Sequence, residues 1–284
     1  MLNSLNNQNE EFSANYGFNK FGLIAGTGRF PLLFAQSAKS KGIKVVAIAH
    51  KGQTSPEIES LADKTYWIKV GQLGKLIRLL KDEGIKDVAL VGGITKTIMF
   101  SEVAPDLRAL SLIAKMRTLN DDALLRAVAG EIEKEGITIH NSTIFLTDLL
   151  SPSGCLTRRQ PNKNEAQDIA FGWEIAKEIG RLDIGQTVVV KDRVVLAVEA
   201  IEGTDEAIRR AGALGKGKGL VVIKVSKPQQ DLRFDLPAIG PNTITTMKEA
   251  GARVLAIETG KTLLIDKEEL IKAANQAGIT IVAR

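Results

Sequence analysis

Residues 21–50 read FGLIAGTGRFPLLFAQSAKSKGIKVVAIAH, and this stretch indicates how the first half of the chain folds. Two apolar runs, FGLIAG and KVVAIAH, enclose a segment whose apolar positions recur at a helical spacing. A strand, a helix and a second strand in this order form a crossover unit of a parallel sheet. The alternation continues through KTYWIKV (64–70), a helix over 72–84 and DVALVGG (87–93). The sequence therefore predicts an α/β fold with a parallel sheet covered by helices.

The second half of the chain has a different pattern. Residues 151–164, SPSGCLTRRQPNKN, are rich in turn-forming residues and indicate a domain boundary near residue 150. A long amphipathic helix over 165–183 follows, and two β-branched runs within 187–200 indicate a hairpin. We therefore expect one domain over 20–150 and a second α/β domain with mixed strands over 151–284. Residues 1–19 lack a sustained apolar pattern and are predicted to form a disordered tail.

Composition excludes several functional classes. The 38 basic and 33 acidic residues are interspersed and give a net charge of +5, which suits an anionic ligand better than nucleic acid. The single Cys155 cannot form an internal disulfide, and two histidines do not supply a zinc site. The sequence shows neither an apolar run of the roughly 20 residues that span a bilayer nor a signal peptide. We expect a cytoplasmic protein in a reducing compartment.

Two glycine turns follow strands of the predicted parallel sheet. The first is Gly26-Thr27-Gly28, and the second is Gly92-Gly93, with Lys96 three residues further on. Because the carboxyl ends of parallel strands meet at one sheet edge, both turns are expected to face one crevice, where their N–H groups and Lys96 could hold phosphate. The alternative is that these glycines only permit tight turns.

The first glycine turn does not complete a dinucleotide-binding pattern. Pro31 stands where that pattern needs its third small residue, and His50 stands where a ribose-binding acid is expected. A nucleotide-dependent oxidoreductase is therefore an alternative that the sequence disfavours.

The densest polar segment, residues 224–243, contains KPQQDLRFDLPAIG. Asp231, Arg233 and Asp235 alternate with apolar residues, so an extended backbone would project all three to one face. Carboxylates there could hold Mg²⁺ and cations could hold phosphate. The alternative is an exposed loop whose charges pair with one another.

Further candidate residues lie near the starts of two helices. Asp122 follows Asn120 and Asp121, either of which can cap the helix, so Asp122 is a candidate for a ligand or a metal. Thr204 or Asp205 is expected to cap the next helix, which leaves Glu199 and Glu202 as candidate polar groups. No serine lies in a nucleophile motif and Cys155 has no histidine nearby in the sequence, so metal-assisted phosphoryl chemistry is the class that remains.

Several long motifs carry a resemblance to a known family. GLIAGTGRFP, NDDALLRAV, IGRLDIGQTVVV, VLAVEAIEGTDEAIRR and KPQQDLRFDLPAIG resemble the LpxI family of UDP-2,3-diacylglucosamine pyrophosphatases, in order from about Phe21 to Arg284. The resemblance implies an enzyme of lipid A synthesis that uses Mg²⁺, or alternatively Mn²⁺. In such enzymes water attacks the α-phosphorus and releases UMP and lipid X, 2,3-diacylglucosamine 1-phosphate.

The resemblance also implies an architecture and a set of partners. We expect a Rossmann-like N-terminal domain, a catalytic C-terminal domain with the lipid nucleotide between them, and a homodimer in transient contact with the cytoplasmic face of the inner membrane. Residues 94–100, ITKTIMF, are a candidate lining for the acyl chains, although Met and Phe at such a spacing more often belong to a protein core. A non-catalytic UDP-sugar-binding module is the remaining alternative.

Site residues follow from the resemblance and from the motifs. Residues 233–237, RFDLP, match the family's R-x-D-L-P motif, so Asp235 is the expected Mg²⁺ ligand or water-orienting carboxylate. Asp231 joins it as a catalytic candidate by proximity. Arg233, the first residue of that motif, is a further catalytic candidate and is expected near the diphosphate and the sugar. The candidates for binding the diphosphate and the sugar are Gly26, Thr27, Gly28, Gly92, Gly93, Lys96, Asp122, Glu199, Thr204 and Lys227.

Overall fold

The chain forms two compact units in a computed structural model that describes residues 17, 19–93, 104–116, 121–229, 231, 233–234 and 236–284. Within the described residues, the first unit runs to Thr147 and also takes in Asp231, Arg233 and Phe234. The second unit covers the rest, from Asp148 to Arg284. The predicted tail lies almost entirely outside the described residues, and the predicted limits of the domains stay a prediction.

The first unit contains the predicted parallel sheet, with five strands in the order β3-β2-β1-β4-β5. Its strands are β1 (Lys20–Ala25), β2 (Lys44–His50), β3 (Lys64–Ile68), β4 (Asp87–Val91) and β5 (Thr138–Ile139). Its helices are α1 (Phe30–Ser40), α2 (Ile58–Leu61), α3 (Leu73–Asp82), α4 (Leu107–Ala114) and α5 (Asp121–Glu133). The α/β prediction is therefore confirmed for this half.

Apolar periodicity explains these elements. The face of α3 that carries Leu73, Leu76, Ile77 and Leu80 is buried, as the helical spacing predicts. β5 is shorter than the sequence indicates because the Asn141 side chain accepts hydrogen bonds from the backbone N and the hydroxyl of Thr143, which turns the chain out of the strand.

The second unit contains a mixed sheet of six strands in the order β6-β13-β11-β9-β7-β8. β9, β11 and β13 are parallel, whereas β7 is antiparallel to both β8 and β9, which confirms the predicted hairpin. The strands of this sheet are β6 (Gly154–Cys155), β7 (Thr187–Lys191), β8 (Val194–Val198), β9 (Leu220–Lys224), β11 (Ala252–Ile257) and β13 (Thr280–Ala283). The remaining elements are α6 (Lys163–Arg181), α7 (Thr204–Leu214), β10 (Ala238–Ile239), α8 (Pro241–Glu249), β12 (Leu263–Leu264) and α9 (Lys267–Ala277), with β10 paired to β12.

Helices cover both faces of this sheet because successive strand residues point to opposite sides. On β9, Val221 and Ile223 belong to the core formed with α6, whereas Val222 belongs to the core formed with α7, α8 and α9. α6 lies so close to the sheet that a Cβ at Gly172 would stand 2.5 Å from the Ile223 Cδ1 atom. β9 is therefore a central strand whose side chains are all buried.

A pair of helical glycines tests this packing. Gly172→Ala should lower the melting temperature by several degrees, because the added methyl group overpacks the helix against the sheet at a cost of about 1–3 kcal/mol. Gly130→Ala in α5 is the matched control, since a Cβ there meets nothing within 4 Å and alanine is the better helix former. Thermal unfolding followed by circular dichroism measures both. Equal shifts for the two variants would contradict the packing described for Gly172.

Candidate functional site

The two glycine turns of the first unit lie in contact with each other. The Gly26 N–H donates to the Val91 carbonyl at 2.9 Å, and the Thr27 N–H donates to the Gly93 carbonyl at 2.7 Å. The Thr27 hydroxyl donates to the same carbonyl oxygen at 3.1 Å. The expected proximity of the turns at the carboxyl edge of β1 and β4 is therefore observed.

Glycine is required at the contact because the two backbones approach closely. A Cβ at Gly26 would stand 2.3 Å from the Gly93 carbonyl oxygen, and a Cβ at Gly92 would stand 2.5 Å from the Thr27 carbonyl oxygen. Gly92 also has a φ of +85°, which L side chains rarely adopt. Since the Thr27 N–H donates to protein, the turns have a structural role whether or not a ligand binds beside them.

Pro31 and His50 have structural roles at this edge. A Cβ at Gly92 would stand 3.0 Å from the Pro31 ring, so the proline fills the space beside the second turn. His50 ends β2 and its Nδ1 lies 3.0 Å from the Ala25 carbonyl, which fixes the proton on that nitrogen. Burial lowers the pKa of His50 although the hydrogen bond to Ala25 acts in the opposite direction. A neutral imidazole therefore holds the end of β1.

Asp231 and Arg233 form a bidentate ion pair. Arg233 Nη2 lies 2.8 Å from Asp231 Oδ2, and Nε lies 3.1 Å from Oδ1. The Arg233 hydrogen bond is the main cause of the lowered pKa of Asp231, and the same bond raises the pKa of Arg233. The alternative in which charges of this loop pair with one another is observed for these two residues.

Asp231, Arg233 and Phe234 take part in a turn rather than in an extended backbone. The Phe234 N–H donates to the Asp231 carbonyl at 3.0 Å, which closes a turn, and the Arg233 N–H donates to the Asp231 side chain at 3.1 Å. An aspartate that accepts a hydrogen bond from the backbone two residues on stabilises a turn over an extended chain. The alternation of polar and apolar residues therefore does not place Asp231 and Arg233 on one strand face.

This turn is part of the first unit. The Arg233 carbonyl accepts a hydrogen bond from the Ser142 N–H at 3.0 Å, and Arg233 Nη1 lies 3.2 Å from Glu133 Oε1. Phe234 is buried in the core that α3 and β4 share. Asp231 and Arg233 are thus held near the carboxyl end of β5. This strand belongs to the same sheet as β1 and β4, which the glycine turns follow.

Four of the predicted features lie outside the described residues. They are Asp235, Lys96, the side chain of Asp122 and the segment 94–100. Their predicted roles stay predictions.

In the second unit, four polar side chains from four places in the sequence meet in one network. Lys224 Nζ donates to Thr204 Oγ1 at 2.9 Å, and Thr204 Oγ1 donates to Glu199 Oε1 at 3.0 Å. Thr187 Oγ1 lies 3.3 Å from Thr204 Oγ1. Glu199 and Lys224 are each only 7% exposed. Of the predicted site residues, Glu199 and Thr204 are therefore in contact, and Lys224 is a member that the sequence analysis missed.

The network follows from the strand directions. Lys224 ends β9, Glu199 follows the end of β8 and Thr187 begins the antiparallel strand β7, so all three lie at one edge of the sheet. A cavity of about 410 Å³ opens at this edge. Its walls are residues 202–206 and the side chains of Arg209, Lys224, Ala238 and Thr243. Open α/β sheets bind ligands at the edge formed by the carboxyl ends of parallel strands.

The expectation that Thr204 or Asp205 caps α7 is wrong. The cap position is Gly203, which has a φ of +87° and contributes no side-chain hydrogen bond. Thr204 is the first helical residue, and its hydroxyl lies in the network with Glu199 and Lys224. The side chain that would have capped the helix is therefore used at the cavity.

Lys227 lies away from this network and pairs with an acid. Its Nζ lies 2.6 Å from Asp183 Oδ1, just after α6. The backbone at Lys227 packs closely against α6, because a Cβ at Gly180 would stand 3.3 Å from the Lys227 Cα atom. Lys227 thus ties the segment after β9 to the end of α6.

A second buried acid, Glu258, was also missed by the sequence analysis. Its Oε2 accepts hydrogen bonds from Lys177 Nζ at 2.6 Å and from the Ser226 hydroxyl at 2.7 Å, and its Oε1 accepts one from Lys261 at 2.8 Å. Burial acts to raise the pKa of Glu258, but the hydrogen bonds lower it to about 2. The only signal in the sequence was its place directly after a buried strand.

The described residues contain no cluster of three metal-ligating side chains. Within them, no three His, Cys, Asp or Glu side chains lie close enough together to hold a metal ion. Asp231, the described acid of the conspicuous loop, has both carboxylate oxygens engaged by Arg233. Asp235, the expected magnesium ligand, lies outside the described part of the chain. Among the described helices, none has the length and apolar character that crossing a membrane requires.

These features define a class of protein: an α/β protein of two units, with glycine turns at the sheet edge of one and a buried cation beside a cavity in the other. The sequence model of the LpxI N-terminal domain matches residues 20–149, and that of the LpxI C-terminal domain matches residues 152–282. The chain belongs to the LpxI family.

Two curated relatives illustrate the range of similarity. The UDP-2,3-diacylglucosamine pyrophosphatase LpxI of Caulobacter vibrioides is 36% identical over 274 residues, which cover 93% of this chain and 96% of that protein. The bifunctional purine biosynthesis protein PurH of Trichormus variabilis is 27% identical over 69% of this chain but only 37% of that protein. The first similarity extends over both units.

Similarity to solved structures is weak. The biotin carboxylase domain of the Hydrogenobacter thermophilus 2-oxoglutarate carboxylase matches 69% of this chain and 41% of its own, at 16% identity and a TM-score of 0.27. A likeness of this size carries no argument about fold or function.

The buried Glu258 predicts an acid-sensitive stability. Its folded pKa of about 2 lies below the ordinary value of 4.5, so its contribution is present above pH 4.5 and is lost as the pH falls toward 2. Glu258→Gln should lower the free energy of unfolding at pH 7 by up to about 3 kcal/mol and flatten its decline between those pH values. Urea unfolding across the pH range measures this. The exposed Glu178→Gln in α6 is the control, and equal profiles for both variants would contradict the assignment.

Proposed function

We propose that this chain hydrolyses the pyrophosphate bond of UDP-2,3-diacylglucosamine in lipid A biosynthesis. The observation that carries the proposal is the match of both units to the LpxI family, including a full-length relative that bears this activity in its name. Water bonds to the α-phosphorus, and the bond from that phosphorus to the bridging oxygen breaks. UMP keeps the water oxygen, and 2,3-diacylglucosamine 1-phosphate, or lipid X, leaves with the bridging oxygen.

We propose Mg²⁺, with Mn²⁺ as the alternative, as the metal of the reaction and Asp235 as its ligand or as the carboxylate that orients water. This assignment rests on the family motif in residues 233–237. A divalent ion would supply charge stabilisation for the phosphoryl oxygens. The Arg233 guanidinium, held by Asp231 and stacked 4.8 Å above the Phe234 ring, is proposed to interact with the same phosphoryl oxygens.

The remaining site residues are proposed to surround the diphosphate and the sugar. In the first unit these are the two glycine turns together with Lys96 and Asp122. In the second unit they are Glu199, Thr204 and Lys227, of which the first two belong to the network beside the cavity. We also propose that the first domain, over 20–150, is Rossmann-like and that the second domain, over 151–284, is the catalytic domain.

We propose that the protein acts in the cytoplasm, as a homodimer, and contacts the inner membrane transiently. Helix α4 supports the membrane contact, because Leu107, Leu110 and Ile113 are exposed by 86%, 49% and 37%. These residues recur at a helical spacing and form one apolar stripe. The exposed Lys75 and Arg78 of the neighbouring helix α3 add positive charge. An apolar stripe beside cations suits an anionic lipid surface.

Phosphorus NMR tests the reaction. The purified chain, incubated with UDP-2,3-diacylglucosamine and Mg²⁺, should produce UMP and lipid X, and EDTA should stop the reaction. Binding of the substrate without turnover would instead support a non-catalytic UDP-sugar-binding module. Turnover in EDTA after exhaustive removal of metal would contradict the proposed cofactor.

Replacement of Asp235 tests its catalytic assignment. Asp235→Ala should reduce turnover by at least about 10³-fold while the dissociation constant for the substrate changes little, because the carboxylate is proposed to act in the reaction step. Steady-state kinetics and equilibrium binding measure the two quantities. The control is Asp82→Ala, which removes an exposed acid at the end of α3. Wild-type rates for Asp235→Ala would refute the assignment.

The apolar stripe predicts binding to anionic vesicles. Vesicles of phosphatidylglycerol and phosphatidylethanolamine should sediment the wild-type chain, and the double variant Leu107→Ser/Leu110→Ser should lose most of this binding because less apolar area is buried. The control Leu182→Ser/Leu214→Ser alters two leucines of similar exposure in the second unit. Equal binding by the two variants contradicts the proposal. A loss of dimer mass in the first variant with unchanged vesicle binding would assign the stripe to a contact between copies.

A further inference from the structure

We infer that Lys224 is the cation that binds phosphate in the cavity of the second unit, and that Thr204 and Glu199 are positioning residues that hold its ammonium group. The ligand class is the diphosphate of a uridine nucleotide. This inference rests on the proposed function for the identity of the ligand, but it concerns binding and is tested without turnover.

The burial of Lys224 is the first observation. Among the lysines and arginines in the described ranges, Lys224 alone is buried, with 7% of its surface exposed. It ends β9, the strand whose other residues are all buried and apolar. Removing an ammonium group from water is costly unless other groups compensate. Because Lys224 also lines the cavity of about 410 Å³, the buried charge faces a space that admits a ligand.

The second observation is that protein groups fill all the hydrogen-bonding positions of the Thr204 hydroxyl. A hydroxyl has one proton to donate and two lone pairs that accept. The Thr204 hydroxyl donates to Glu199 at 3.0 Å and accepts from Lys224 Nζ at 2.9 Å. Thr187 Oγ1, at 3.3 Å, supplies the second bond that it accepts. The hydroxyl is thus saturated by protein groups, so Thr204 acts on a ligand through Lys224 rather than by direct contact.

Glu199 is a fixed anchor for this chain of hydrogen bonds. Its Oε2 accepts from the Gln186 N–H at 3.3 Å, and its own N–H donates to the Thr187 carbonyl at 2.9 Å. Gly185 leaves room for this approach, since a Cβ there would stand 2.0 Å from the Glu199 carbonyl oxygen. The buried carboxylate and the Lys224 ammonium group are therefore linked through the Thr204 hydroxyl, which holds both in place.

Two of the three acids in the cavity wall are paired with arginines. Glu206 pairs with Arg209, and Glu202 pairs with Arg210 at 2.6 Å. Asp205, the third acid, lies in the first turn of α7, where the helix dipole favours a carboxylate. A buried ammonium group in the wall of a cavity suits a phosphate group, to which a lysine binds as a point charge.

Isothermal titration calorimetry of the full chain with UDP and with uridine tests the inference. Wild type should bind UDP more tightly than uridine. Lys224→Met should weaken UDP binding by about tenfold or more, as expected for a lost hydrogen bond to a charged group, and leave uridine binding unchanged. Lys218→Met, which removes an exposed lysine just before β9, is the matched control and should bind UDP as wild type does.

The positioning role has its own pair of variants. Thr204→Val removes the hydroxyl at similar shape and should weaken UDP binding about tenfold, whereas Thr204→Ser keeps the hydroxyl and should stay within about threefold of wild type. Glu199→Gln should also weaken UDP but not uridine binding. Melting temperatures establish that each variant is folded, and if Lys224→Met is not, the Thr204 pair decides.

Three outcomes would overturn the inference. The first is a wild type that binds UDP no more tightly than uridine, and the second is wild-type UDP affinity in folded Lys224→Met. The third is equal UDP affinity in the valine and serine variants of Thr204. None of these outcomes depends on hydrolysis. A chain that binds as expected but does not hydrolyse the substrate would contradict the proposed function and still support the binding site at Lys224.

Discussion

The pairing of β9 with strands on both sides is the constraint on which the polar chemistry of the second unit depends. β9 is parallel to β11 and antiparallel to β7, so the end of β9 and the start of β7 are neighbours. The four apolar residues 220–223 of β9 are buried, and Lys224, which ends the strand, is buried with them. The energy of packing the strand thereby offsets the cost of placing an ammonium group at the sheet edge.

The same pairing organises the acids. Glu199 follows β8 and reaches Lys224 through Thr204, whereas Glu258 follows β11 and accepts hydrogen bonds from Ser226, two residues after β9. Each buried carboxylate is thus satisfied by groups from a different strand or helix. Removing any member of such a network leaves a buried polar group without its partner, which is energetically costly.

Much of this fold could be predicted from the sequence because the signals are local. Apolar runs and helical spacing indicate the strands and helices, and the buried face of α3 is the one that the spacing defines. The contact between the turns at Gly26 and Gly92 also follows from sequence order, because parallel strands direct their carboxyl ends to one edge.

Other features depend on partners that are distant in the sequence. Asp231 and Arg233 looked like residues of an extended loop, but Ser142 and Glu133 hold their turn in the first unit. Thr204 looked like a helix cap, but Glu199 and Lys224 use its hydroxyl. Lys224 begins the polar segment 224–243 of the sequence, and only its neighbours on β7 and after β8 show that it is buried.

We propose that this member of the LpxI family is a pyrophosphatase that cleaves its substrate by attack of water on the α-phosphorus. The most direct measurement is phosphorus NMR of the products formed in ¹⁸O-labelled water, because the label shifts the resonance of the phosphorus that water attacked. We expect ¹⁸O in UMP and none in 2,3-diacylglucosamine 1-phosphate. Label in the sugar phosphate would place the attack at the β-phosphorus and contradict the proposed mechanism, and absence of both products would contradict the activity itself.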